Sequence, residues 1–123
     1  MTTQPASFAE LDGTAWRATR FGPGLVETPA EEQEFSLEVQ GDRLAGKSGC
    51  NRYMGGWEVE TESIRIGPLA STMMWCEGLM DLERAFLEAL QAVQAAHRDG
   101  EHLVLADGEG NPLIELAPVE DAG

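Results

Sequence analysis

Between Phe35 and Gln40 the side chains alternate strictly, Phe35, Leu37 and Val39 against Ser36, Glu38 and Gln40. A period of two marks a half-buried antiparallel strand, because successive side chains leave opposite faces of the pleat. Gly41-Asp42 turns the chain, and Arg43-Leu44-Ala45-Gly46 returns as the hairpin partner. Tyr53 to Glu60 sets Trp57 and Val59 against Glu58 and Glu60, and Thr61-Glu62-Ser63 turns into Ile64-Arg65-Ile66. Upstream, Asp12-Gly13 opens a strand carrying Thr14, Trp16 and Thr19; Gly22-Pro23-Gly24 breaks it, and residues 25–32 read as an acidic loop. After Pro68 the period lengthens. Leu82, Phe86, Leu90, Val93 and His97 recur every three or four positions, which predicts a helix over residues 79–97. Asp81 and Glu83 suit its first turn, Arg98 follows its last, and Asp99-Gly100 reads as its stop. Leu103–Leu105 and Leu113–Leu116 close the chain as short strands. One helix placed late among about seven or eight strands implies an α+β domain: a curved antiparallel sheet with one main helix packed on it.

A chain of 123 residues is one domain. Residues 1–9 read as a disordered leader, 10–117 as the domain and 118–123 as a flexible acidic tail. The leader has neither a basic stretch nor an apolar stretch of signal-peptide type. The expected location is therefore cytoplasmic, or periplasmic or secreted if an export signal has been removed. With 22 acidic against 8 basic side chains, the formal net charge is −14. That excludes non-specific nucleic-acid binding, which needs Lys and Arg to displace counterions, and disfavours anionic membranes. No apolar run reaches the ~18 residues of a membrane span. Motifs such as GxSxG, HExxH, GxxxxGK[ST] and GxGxxG do not occur, so hydrolase, metalloprotease and nucleotide-binding readings lack their anchors.

Three segments carry a family resemblance. Gly49-Cys50-Asn51-Arg52-Tyr53, followed by Gly55-Gly56 and Trp57, resembles the first signature of the META, or HslJ-like, family. Thr72-Met73-Met74-Trp75-Cys76 looks like its second, and Leu11-Asp12-Gly13-Thr14-Ala15-Trp16 is similar to its usual opening. The resemblance covers roughly residues 10–117 and implies a compact α+β fold with a strongly curved sheet. It implies no enzymatic activity, and bacterial members are often envelope or secreted proteins linked to stress or drug tolerance. Asn51, Arg52, Thr72 and Met73 carry over as motif residues without an assigned role.

Cys50 and Cys76 could be a disulfide, two buried thiols or, at Cys50, a nucleophile. Their places in the two signatures imply spatial neighbours and a structural pair. Asn51 reads as a hydrogen-bonding hub in a turn rather than a ligand contact. Met73, Met74 and Trp75 are expected in the core, and His97 on the helix's apolar stripe. Glu27, Glu31, Glu32 and Glu34, and Glu58, Glu60 and Glu62, could approach Ca²⁺, but they lack a D-x-D-x-D-G loop and read as wet faces. The resulting expectation is a monomeric, non-catalytic binding or stress-protective module with no cofactor or metal, acting on an unidentified protein. Its rival is a small hydrophobic-ligand or acyl-chain carrier, using an opening lined by some of Trp16, Trp57, Met73 and Trp75.

Overall fold

The computed structural model describes residues 4–6, 11–22, 26–27, 35–60 and 63–119. In chain order the elements are β1 (Gln4–Ala6), β2 (Thr14–Phe21), β3 (Val26–Glu27), β4 (Ser36–Gln40), β5 (Arg43–Lys47), β6 (Arg52–Glu60), β7 (Ser63–Ile66) and β8 (Ala70–Ser71). The helix α1 (Met80–Ala92) precedes β9 (Ala95–Asp99), β10 (His102–Ala106) and β11 (Pro112–Pro118). Nine strands run side by side in the order β1-β9-β10-β11-β2-β4-β5-β6-β7, with short β3 and β8 pairing off that path against β2 and β6. Neighbours are antiparallel throughout, for example Trp16 opposite Leu37 and Leu44 opposite Gly55. The sheet curls until its ends nearly meet: the Ile64 N–H on β7 donates to Gln94 O, just before β9, at 2.8 Å. The expected α+β fold with one helix on a curved sheet is what the chain adopts.

Alternation sends one side chain in two to the inside, where Leu37, Val39, Leu44, Tyr53, Ile64, Leu103, Leu105, Ile114 and Leu116 are buried. On β2 a register shift against β11 lets both Ala18 and Phe21 face inward, three positions apart, while the Thr19 hydroxyl donates to Glu115 O at 3.0 Å. The helix covers the opening of this curl with Phe86, Ala89 and Leu90, and Leu82 packs half-buried beside them. Phe86 meets Phe21, Phe35 and Tyr53 edge-on. Gly46 admits no side chain, because a Cβ there would stand 2.2 Å from Ser36 O. That same carbonyl accepts the Tyr53 hydroxyl, whose ionisation burial, with Glu38 nearby, pushes far upward.

The expected extent of the helix needs correction. The helix stops at Ala92 rather than residue 97; Val93 is already extended, with φ −66° and ψ 131°, although it keeps its buried place. Residues 95–99 form β9 instead, because they lie between β1 and β10 and a sheet edge there recruits them. His97 is therefore a strand residue opposite Val104, and Arg98 stands 5.7 Å over the Trp16 ring. Gly100, at φ 64°, serves the tight β9–β10 turn and not a helix end. Within the stretch expected as a disordered leader, Gln4–Ala6 pairs with β9; the rest of that stretch, residues 10, 23–25 (with the expected Pro23-Gly24 break), 28–34 and 61–62, and the tail beyond Val119 lie outside the described residues.

Candidate functional site

Ser48 follows β5 and bridges Phe35, and Gly49 bends the chain at φ 94°, a conformation that favours glycine. A Cβ there would also press on the Phe35 ring at 2.8 Å. The bend carries Asn51 into the interior, where it is 3% exposed. Its amide makes all four bonds of which the group is capable. Nδ2 donates to Met74 O at 3.1 Å and to Glu83 Oε2 at 2.8 Å. Oδ1 accepts the Thr72 hydroxyl at 2.8 Å and the Met74 N–H at 2.7 Å. Asn51 is thus the hub its turn position suggested, and it has no bonding capacity left for a ligand.

Glu83 completes the network and was missed in the sequence, where it reads as a helix-start acid. Its Oε1 accepts the Ser48 hydroxyl and the Asn51 backbone N–H, both at 2.7 Å. Burial raises the carboxyl's affinity for a proton, but the donors from Asn51, Ser48 and the Cys50 backbone outweigh it and leave the pKa below the ordinary 4.5. The native state therefore binds fewer protons than the unfolded chain near that value, so stability rises with pH there. The contribution is complete above 4.5 and lost as pH falls through the lower native value. Glu83→Gln keeps the shape but turns an N–H₂ toward donors, and should cost about 1–3 kcal/mol at neutral pH. Unfolding followed from pH 7 down to 3 should show the variant and parent converging in acid; a constant gap would reject the ionised hub.

The network fixes a segment of chain on the surface. Cys76 bonds to Cys50, with Cα atoms 5.8 Å apart, so the expected neighbours are joined as a disulfide. Thr72 is tied by its backbone N–H to Arg52 O at 3.0 Å, while its hydroxyl accepts the Arg52 N–H at 3.1 Å; the Arg52 side chain itself is exposed. Between these ties Met73, Met74 and Trp75 are 93%, 56% and 77% exposed. The expectation that they join the core is overturned. The core is already filled by five aromatic side chains, Trp16, Phe21, Phe35, Tyr53 and Phe86, and the strand leucines, and Asn51 takes both Met74 backbone groups so that the side chains point out. Beside the loop runs an open groove of about 460 Å³, lined by Leu69, Trp75, Met80 and Leu87 with Glu83, Arg84, Glu88 and Gln91.

The side chains expected to line a carrier's opening do not converge. Trp16 is a core residue donating to the Thr14 hydroxyl at 2.8 Å, and Trp57 packs half-buried on the core with its N–H on Gly41 O at 2.8 Å. Of the four, Trp75 is the one that lines the groove. Cys50, with its sulfur in the bridge, has no free thiol to act as a nucleophile. Among the described residues no three His, Cys, Asp or Glu side chains cluster to hold a metal. Glu58 is exposed on β6, and the other glutamates of the two acidic runs have side chains outside the described set.

Fold and site define a small curved-sheet domain that presents a clamped apolar loop. The META domain model matches residues 9–120, and the chain belongs to that family. No curated protein matches it. A protein from Burkholderia xenovorans solved by NMR is similar over 92% of this chain and 86% of its own, at 21% identity and a TM-score of 0.74. A DUF4847 family protein from Bacteroides vulgatus, solved by crystallography, is 14% identical over 87% of this chain and 93% of its own, with a TM-score of 0.62. Likenesses at such identities show the fold.

Proposed function

We propose that this META domain is a non-catalytic binding module, and that Met73-Met74-Trp75 with the adjoining groove is its contact surface. The occupant is a partner protein that presents an apolar pocket edged with Lys and Arg. One observation carries the reading: three consecutive large apolar side chains stand in solvent on a backbone that Asn51 and the Cys50–Cys76 bridge hold in place. A surface already ordered loses little further entropy on binding, and buried Trp and Met are favoured anchors of interfaces. Charge selects the partner's rim. Glu77, Asp81 and Glu88 are exposed around the loop, with Arg84 among them, on a chain of net charge −14. Among the described residues no helix is long and apolar enough to cross a membrane. The bridge supports an oxidising compartment, periplasmic or secreted. A stress-protective setting belongs to the same proposal and rests on the family alone.

The test is a photo-crosslinker at position 73 in the producing cell, followed by purification of the captured pair and measurement of its affinity. Trp75→Ala should weaken the pair about 30-fold or more, as an interface anchor does, without moving the melting temperature. An affinity unchanged by that substitution overturns the reading. A lipid or acyl chain that co-purifies with the parent and is absent from Trp75→Ala would replace it with the carrier.

A further inference from the structure

Methionine ordinarily fills gaps in a core, yet all four methionines among the described residues lie outside this one. Met54 is 53% exposed on the outer side of β6, Met73 and Met74 stand on the loop, and Met80 is half-buried. The Met80 sulfur is also engaged, since it accepts the Cys76 N–H at 3.4 Å. Both cysteines are consumed in the bridge, so no thiol competes for an oxidant. The methionines of the described chain are therefore concentrated at the surface, and the most exposed of them, Met73, belongs to the proposed contact loop.

We propose that Met73 and Met74 form a sulfoxidation site that switches the apolar surface off. The inference rests on the contact surface proposed above. The oxidant is a peroxide. Its O–O bond breaks as one oxygen forms an S–O bond with the thioether, the sulfur loses two electrons, and the peroxide departs reduced, as water when the oxidant is hydrogen peroxide. The product carries a strong dipole and a hydrogen-bond acceptor where an apolar pocket must close, and burying it unpaired is unfavourable. The fold does not follow the side chain. Met74 is held through its backbone N–H and C=O by Asn51, and the packed interior holds no described thioether into which an S=O group would intrude.

Hydrogen peroxide added to the bridged, full-length chain tests this, with each methionine followed by peptide mass spectrometry. Met73 should convert fastest, Met54 and Met74 at similar intermediate rates, and Met80 at least about fivefold slower than Met73, because susceptibility follows exposure. Retention on a phenyl matrix should fall as Met73 and Met74 convert, while the melting temperature moves by less than about 3 °C. Met73→Leu/Met74→Leu should keep its retention through the same treatment. Met80 reacting as fast as Met73, or retention unchanged after full conversion of the pair, overturns the switch. Its failure is distinct from that of the contact surface: a pair sensitive to Trp75→Ala but indifferent to peroxide loses only the switch.

Discussion

Replacing Phe86 with alanine is expected to lower the unfolding free energy by about 3–5 kcal/mol, the cost of deleting a fully buried ring and leaving its space behind. Phe86 is 0% exposed. Its ring centroid lies 5.2 Å from Phe21, 5.5 Å from Phe35 and 5.9 Å from Tyr53, distances at which edge-to-face pairs add to simple burial. The size of the effect depends on whether the neighbours can close the hole, and here they are held. Phe21 sits on a strand paired on both sides, Phe35 lies over Gly49 with no room for a Cβ between them, and Tyr53 is pinned by its hydroxyl to Ser36 O. A single domain has roughly 5–15 kcal/mol in all, so the variant should retain its fold near room temperature with a melting temperature lower by roughly 10 °C or more. Urea unfolding measures it directly. A midpoint equal to the parent's would mean that the helix does not seal the sheet through this ring.

Phe86 was legible in the sequence, and the reason shows where legibility ends. The i, i+4 recurrence of Leu82, Phe86 and Leu90 is a local property, and so is the alternation of Leu37 and Val39; the folded chain respects both. The end of the helix is not local. Val93 and His97 continue the helical spacing, yet the backbone turns extended at Val93 because Gln94 N–H donates to Ala106 O and residues 95–99 complete a sheet between β1 and β10. The network was half legible. Asn51 in a glycine bend announces a hub, whereas its partner Glu83 is 32 residues away and carries no local mark of burial. Met73, Met74 and Trp75 went wrong for a related reason: hydrophobicity predicts burial on average, and nothing in three consecutive apolar residues shows that an amide 23 positions upstream will hold their backbone from the inside.

Removing the bridge with Cys50→Ala/Cys76→Ala is expected to cost about 3–4 kcal/mol, because the link spans 26 residues and its loss returns loop-closure entropy to the unfolded chain. The effect belongs mainly to the unfolded state, and that distinguishes it from the Phe86 cavity. A freed chain exposes more surface when it unfolds, so the slope of stability against urea should steepen as the midpoint falls. Alanine at position 86 should lower the midpoint with the slope unchanged. In the native state the loop should stay where it is. The Met74 N–H still donates to Asn51 Oδ1 at 2.7 Å and the Leu79 N–H to Cys76 O at 3.1 Å, and neither bond needs the sulfurs. Hydrogen exchange should accordingly leave the Met74 amide protected in the double variant at neutral pH, although less so than in the bridged protein. A midpoint identical to the parent's would show that the bridge does not constrain the unfolded chain. Full exchange of Met74 at the rate of an open loop would assign the clamp to the disulfide rather than to Asn51, since the side-chain amide would then be insufficient to hold the apolar surface without the covalent link.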